Sequence, residues 1–204
     1  MADRSVKAEQ AEKLEKLRAA MEKVAVEGGE PIIDADAEAV KAPIRSRALR
    51  LLGQRARSRE ELRGRLAENE EWPPAAIDEV LDDLTASGLL DDAHFAHEWV
   101  RQRHAARGKS RMVLDRELAD KGIAPHLRAD ALEQITDADE SHIARALAAK
   151  KAGTISSPPA DRAARDRDLR RIVGVLARRG FAQGMSMDIA REALDARYDE
   201  LGAG

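Results

Sequence analysis

Ser87-Gly88-Leu89-Leu90-Asp91-Asp92-Ala93-His94-Phe95-Ala96-His97-Glu98-Trp99-Val100-Arg101-Gln102-Arg103 holds a helix stop, a helix start, an aromatic pair and the first members of a basic run. Gly88 suits the left-handed conformation that ends one helix, and Asp91 or Asp92 can take up the unpaired amides that open the next. Phe95, Ala96, Trp99 and Val100 recur at the i, i+1, i+4, i+5 spacing of a buried helical face, which assigns both rings to packing. The stretch is a joint between two helical units.

Moving outward from this joint, the same pattern returns. Arg47-Ala48-Leu51-Leu52-Arg55 matches Phe95-Ala96-Trp99-Val100-Arg103 and Ile143-Ala144-Leu147-Ala148-Lys151, with Ala48, Ala96 and Ala144 at one small position. Second helices align as Ser58, Leu62, Leu66 with Ser110, Leu114, Leu118 and with Asp168, Ile172, Leu176, each led by a residue able to cap. Ser58 and Glu61 have the spacing of a capping box, and Gly122-Ile123 and Gly180-Phe181 that of a Schellman stop. Third helices are expected from about Pro74, Pro125 and Ser186, with mobility at Gly153 to Pro159 and at Gln183 to Ser186. The reading is an all-α protein: an elongated, curved array of three tandem three-helix repeats over 44–90, 91–137 and 138–204, because single triplets bury little and stacked ones share their faces.

Residues 1–43 differ in character and read as a charged amino-terminal extension, partly helical or disordered. Leu14, Leu17, Met21 and Val24 form a short heptad seam that, alone, is marginal. A solvated extension is the plainer reading, and a docking helix the alternative.

Composition agrees. Among 204 residues, 36% are charged and only 2% aromatic, in an alphabet rich in Ala, Leu, Arg and Glu that favours helices over strands. Without cysteine there is no disulfide framework or thiolate metal site, and no apolar run suits a membrane, so a cytoplasmic location is expected. The formal net charge of -3 excludes a uniformly basic coat protein but leaves room for local patches.

Enzyme signatures fare poorly. Arg107-Gly108-Lys109-Ser110 resembles the end of a phosphate loop, but the required first glycine falls at Arg103 and no strand precedes it, so a turn with Ser110 as cap is preferred. His94, His97 and His104 lack an evident converging set of ligands. No catalytic motif, cofactor, metal or small-molecule substrate is expected. Positive charge is the strongest surface signal. Arg101, Arg103, Arg107, Lys109 and Arg111 follow one another with no acidic residue between, and Arg170, Arg171, Arg178 and Arg179 belong to a second run. Arg55 and Lys151 join them through the repeat alignment, at the carboxyl ends of leading helices, where cations also simply favour the helix dipole.

Gly88-Leu89-Leu90-Asp91-Asp92-x-x-Phe95-Ala96-x-x-Trp99-Val100-x-x-Arg103, then Leu114-x-x-x-Leu118-x-x-x-Gly122-Ile123, resembles the RecX regulatory proteins of bacteria. Ser58-Arg59-x-Glu61-Leu62-x-x-x-Leu66 and Leu176-Ala177-Arg178-Arg179-Gly180-Phe181 look like the flanking repeats of that family, so the likeness spans roughly Ile44 to Tyr198. Ala93-His94 departs from the family's charged pair ending in arginine, and the third repeat carries extra residues. The resemblance implies a non-enzymatic modulator of the RecA recombinase in DNA repair and the SOS response. Such a protein lies in the groove of the RecA filament on DNA and inhibits strand exchange and ATP hydrolysis. The basic residues named above are then expected to meet the filament. Direct binding of single- or double-stranded DNA is the alternative.

Overall fold

Helix starts and stops dictate the architecture. In the computed structural model, which describes residues 35–202, the described residues form nine α-helices and no strands. They are α1 (Ala35–Gln54), α2 (Arg59–Leu66), α3 (Pro74–Ala86), α4 (Asp92–Arg107), α5 (Arg111–Ala119), α6 (Pro125–Leu132), α7 (Asp137–Ala152), α8 (Arg162–Arg178) and α9 (Gln183–Gly202). The heptad seam from Leu14 to Val24 lies outside the described residues.

The helices group in threes, each triplet around its own core. Ile44, Ala48, Leu62, Leu66, Ile77, Val80 and Leu81 fill the first. Phe95, Ala96, Val100, Leu114, Leu118 and Ile123 fill the second. Ala144, Ala148, Ile172, Leu176, Phe181 and Leu194 fill the third. Extensive helix packing stays within triplets, so each buries its own apolar face. The repeated alanines Ala48, Ala96 and Ala144 are fully buried, as are the paired apolar residues of each second helix. A small residue at that point lets the helices of a triplet pack closely.

Local chemistry sets the ends. Pro74 and Pro125 occupy first-turn positions, where a missing N–H costs nothing. The turns after α5 and α8 are Schellman stops: Ile123 N donates to Leu118 O at 3.1 Å and Phe181 N to Leu176 O at 3.3 Å.

Four features differ from the expectations raised by the sequence. α1 begins at Ala35 and carries Pro43 inside it, well before Ile44. α8 begins at Arg162, capped by Asp161, whose side chain accepts from Ala164 N at 2.7 Å. Asp168 is therefore inside the helix, where it accepts from the Tyr198 hydroxyl at 3.1 Å. Gln183 to Ser186 form the first turn of α9 rather than a loop before it. Finally, Ser58 caps Glu61 N, but the Glu61 carboxylate turns away to cations; the reciprocal box is made instead by Thr136 and Asp139.

Candidate functional site

Two joints hold the triplets in series, and both follow one plan. Ser58 and Ser110 are buried N-caps of α2 and α5, and each also reaches across to the next triplet. The Ser58 hydroxyl donates to Lys121 O and the Ser110 hydroxyl to Gly180 O, each at 2.7 Å. The glycines of these two receiving turns, Gly122 beside Lys121 and Gly180 itself, have φ of +73° and +83° and sit so close that a Cβ would meet Glu60 Cβ at 2.4 Å or Val113 Cγ2 at 2.2 Å. Glycine is required twice over: for its backbone conformation and for the close approach.

A carboxylate from the next triplet completes each joint. Asp92 Oδ1 accepts from Arg59 N, and Glu140 Oε1 from Arg111 N, both at 2.8 Å. These amides open α2 and α5 and have no partner within their own helices. Adjacent aspartates thus cap different helices, because Asp91 accepts from His94 N at 2.9 Å and so serves its own. Burial pushes the Asp92 carboxyl above its ordinary range, against the pull of the Arg59 amide.

Around these joints the cations divide into paired and unpaired. Arg103 lies over the Trp99 ring, 3.8 Å from its centroid, and 3.4 Å from Glu117 Oε2. Glu117 also accepts from Trp99 Nε1 at 3.0 Å and pairs with Lys109. Burial of Glu117 would raise its carboxyl, but Lys109, the indole N–H and Arg103 outweigh it and hold the group below the usual range. Arg111 pairs with Asp137 and with Glu140 at 3.3 Å. Arg101 pairs with Glu98 at 2.6 Å, Arg171 with Asp168 at 3.1 Å, and Arg55 with Glu61. Arg170 turns back to its own helix, donating to Asp166 O at 3.1 Å.

Arg107, Lys151, Arg178 and Arg179 have no acidic partner among the described residues. Lys151 and Arg171 both line a cavity of about 360 Å³, together with Thr154 to Ala160 and Asp168. Most of the first basic run is therefore engaged within the fold, which its lack of intervening acids concealed: Glu98, Glu117, Asp137 and Glu140 arrive from outside it. The repeat alignment of Arg55, Arg103 and Lys151 also shifts. Arg103 lies one turn before the end of α4 and stacks on Trp99, while Arg107 stands where Arg55 does relative to the cap serine.

Trp99 is only partly buried, unlike Phe95. The two rings stack with centroids 5.6 Å apart, and Lys121 lies 4.3 Å from the Trp99 ring centroid. The indole is thus a packing residue with a cationic cover. Asp92, Glu117 and Glu140 were not legible as site residues; the one available signal was the doubled aspartate at Asp91-Asp92, where a single cap suffices. Among the described residues no group of His, Asp and Glu could hold a metal ion, and no helix is long and apolar enough to cross a membrane.

Comparison with known proteins agrees with this architecture. Residues 45–84 match the family model for the first three-helix domain of RecX, and residues 91–132 that for its second. A regulatory protein RecX from Corynebacterium efficiens is 56% identical over 196 residues, spanning 94% of this chain and 93% of its own. Another from Streptomyces coelicolor is 37% identical over 174 residues, spanning 85% and 87%. The crystal structure of RecX from Lactobacillus salivarius superposes with a TM-score of 0.66 at 24% identity, covering 78% of this chain and 99% of that one, and so shares the fold.

Proposed function

The chain belongs to the RecX family of regulatory proteins, and from this membership we propose that it is a non-enzymatic cytoplasmic regulator that binds RecA filaments on DNA. Binding restrains strand exchange and ATP hydrolysis, and so modulates recombinational repair and the SOS response. One observation carries the reading: three triplets in series, joined at two hydrogen-bonded joints, present unpaired cations at Arg107, Lys151, Arg178 and Arg179. A partner that repeats along its length can meet several of these at once, so that weak contacts multiply through effective concentration. The test is to titrate the protein into cognate RecA during ATP hydrolysis and strand exchange. Inhibition that saturates is expected; full activity at saturating protein, with no co-sedimentation, would refute the proposal.

A second reading is direct binding of single- or double-stranded DNA. It draws on α8, where Arg162, Arg167, Arg170 and Arg178 are exposed and lack a carboxylate partner. Tight binding to bare DNA with a steep salt dependence would favour it, since each neutralised phosphate releases counterions.

A further inference from the structure

The two joints share a plan but differ in charge. Glu61 N and Val113 N donate to the hydroxyls of Ser58 and Ser110 at 3.2 Å and 3.4 Å, which makes Glu61 and Val113 equivalent positions. Arg55 and Arg107 are equivalent too, each three residues before the serine. Lys121 and Arg179 each precede the left-handed glycine of the docking turn. In the first joint Glu61 takes both cations, Arg55 Nη1 and Lys121 Nζ lying 3.2 Å and 3.3 Å from Oε2. These contacts, Arg55 foremost, hold its carboxyl below the usual range. In the second joint aliphatic Val113 replaces the glutamate, and Arg107 and Arg179 have no carboxylate among the described residues.

The two arginines flank one turn. Arg179 Nη1 lies 3.7 Å from where a Cβ on Gly108 would stand, next to Arg107 in the chain. Both backbones are pinned, Gly108 N donating to His104 O at 2.9 Å and Ser110 N to Arg179 O at 3.0 Å. The backbone from which each guanidinium extends is therefore fixed, so an incoming anion need order only the two side chains on arrival.

We propose that an acidic side chain of a partner protein enters the second joint and binds Arg107 and Arg179 as Glu61 binds Arg55 and Lys121 in the first. The inference rests on the filament-binding reading and deepens it, naming the chemistry met at this point. A carboxylate is favoured over a DNA phosphate on two grounds. The occupant of the equivalent position in the first joint is itself a glutamate carboxylate, Glu61. The carboxylates of Asp137 and Glu140 reach Arg111 beside this joint, so a polyanion would be repelled more strongly than a single acidic side chain.

The experiment compares co-sedimentation of the full chain with RecA filaments and its binding to a bare single-stranded oligonucleotide. The variants are Val113→Glu, which supplies the missing carboxylate internally, Val113→Gln as a control of similar size, and the double variant Arg107→Gln/Arg179→Gln. Val113→Glu and the double variant should each weaken filament binding about tenfold, the loss of roughly one charged contact. Val113→Gln should bind filaments like the wild type, and bare-DNA binding should be unchanged throughout. Melting curves report folding, and if Val113→Glu is unfolded the double variant decides. Wild-type filament binding in the double variant overturns the inference, as does an equal loss on bare DNA, which would make the occupant a phosphate. Failure of the wild type itself to sediment with filaments is a different result and refutes the filament reading on which the inference rests.

Discussion

The Ser110 hydroxyl and the Gly180 carbonyl, 70 residues apart, share a 2.7 Å hydrogen bond that ties the second triplet to the third. The same hydroxyl accepts from Val113 N at 3.4 Å, so one buried side chain both starts a helix and fastens it to its neighbour. Capping and assembly are therefore one event: α5 has its N-terminus fully satisfied only when the third triplet is docked.

Gly180→Ala should separate these roles. A Cβ there would lie 2.2 Å from Val113 Cγ2 and 2.7 Å from Ser110 Oγ, at a φ of +83°. The backbone strain alone costs roughly 1–3 kcal/mol. Faster hydrogen exchange at the Ser110 and Arg111 amides is expected, with the first triplet unchanged. Gly184→Ala, in an open first turn of α9, should be neutral or stabilising by about 0.5–1 kcal/mol. Equal melting points for the two variants would contradict this account.

The sequence makes the triplets legible but hides the joints. Ala48, Ala96 and Ala144 repeat visibly because a helix core imposes short-range periodicity, and the structure buries all three. Ser58 and Ser110 are recognisable as caps from their immediate surroundings. Their second partners lie 63 and 70 residues away and are main-chain carbonyls, which carry no residue identity to read. The basic run from Arg101 to Arg111 misleads for a related reason. Helical side chains find partners three or four residues away or on other helices, so a run without intervening acids need not be free of them. The sequence leaves the start of α8 ambiguous because Asp161 and Asp168 are equally competent caps; the Ala/Arg segment between them favours helix, and Asp161 is the cap.

Glu117 should make the second triplet sensitive to acid. Its folded carboxyl is held below the ordinary value, so its stabilising effect is present above the unfolded value of about 4.3 and is lost as pH falls through the folded value. Because Trp99 donates to Glu117, indole fluorescence reports the change once Trp72 is replaced by Phe. The acid transition should have its midpoint below that of a free glutamate. Glu117→Gln should remove this step; a fluorescence titration identical in both proteins would show that Glu117 does not control it.

Trp99→Ala removes a ring that stacks on Phe95 and carries Arg103 on its face. Full burial would imply a loss of about 3–5 kcal/mol, whereas the partial exposure of this indole points to roughly 2–3 kcal/mol. Trp99→Phe should recover most of the packing but leave Glu117 without the indole hydrogen bond. Urea denaturation of the three proteins orders them as wild type, Phe, Ala. An Ala variant as stable as the wild type would mean that the ring contributes no packing energy.

Charge reversal distinguishes cations that hold the fold from those that do not. Arg111 is bound on several sides, by Asp137, by Glu140 at 3.3 Å and by the Ile135 carbonyl at 3.4 Å, at the joint between triplets. Arg111→Glu places a third carboxylate beside two others and should cost about 1–2 kcal/mol, a value reduced by the partial exposure of the site. Arg107 ends α4 as an exposed residue with no acidic partner, and Arg107→Glu exchanges a favourable interaction with the helix dipole for an unfavourable one, held by solvent screening to about 1 kcal/mol or less. Thermal melts should therefore place Arg111→Glu clearly below Arg107→Glu. The reverse order would mean that the joint draws its stability from the turn at Arg107 and not from the acidic first turn of α7.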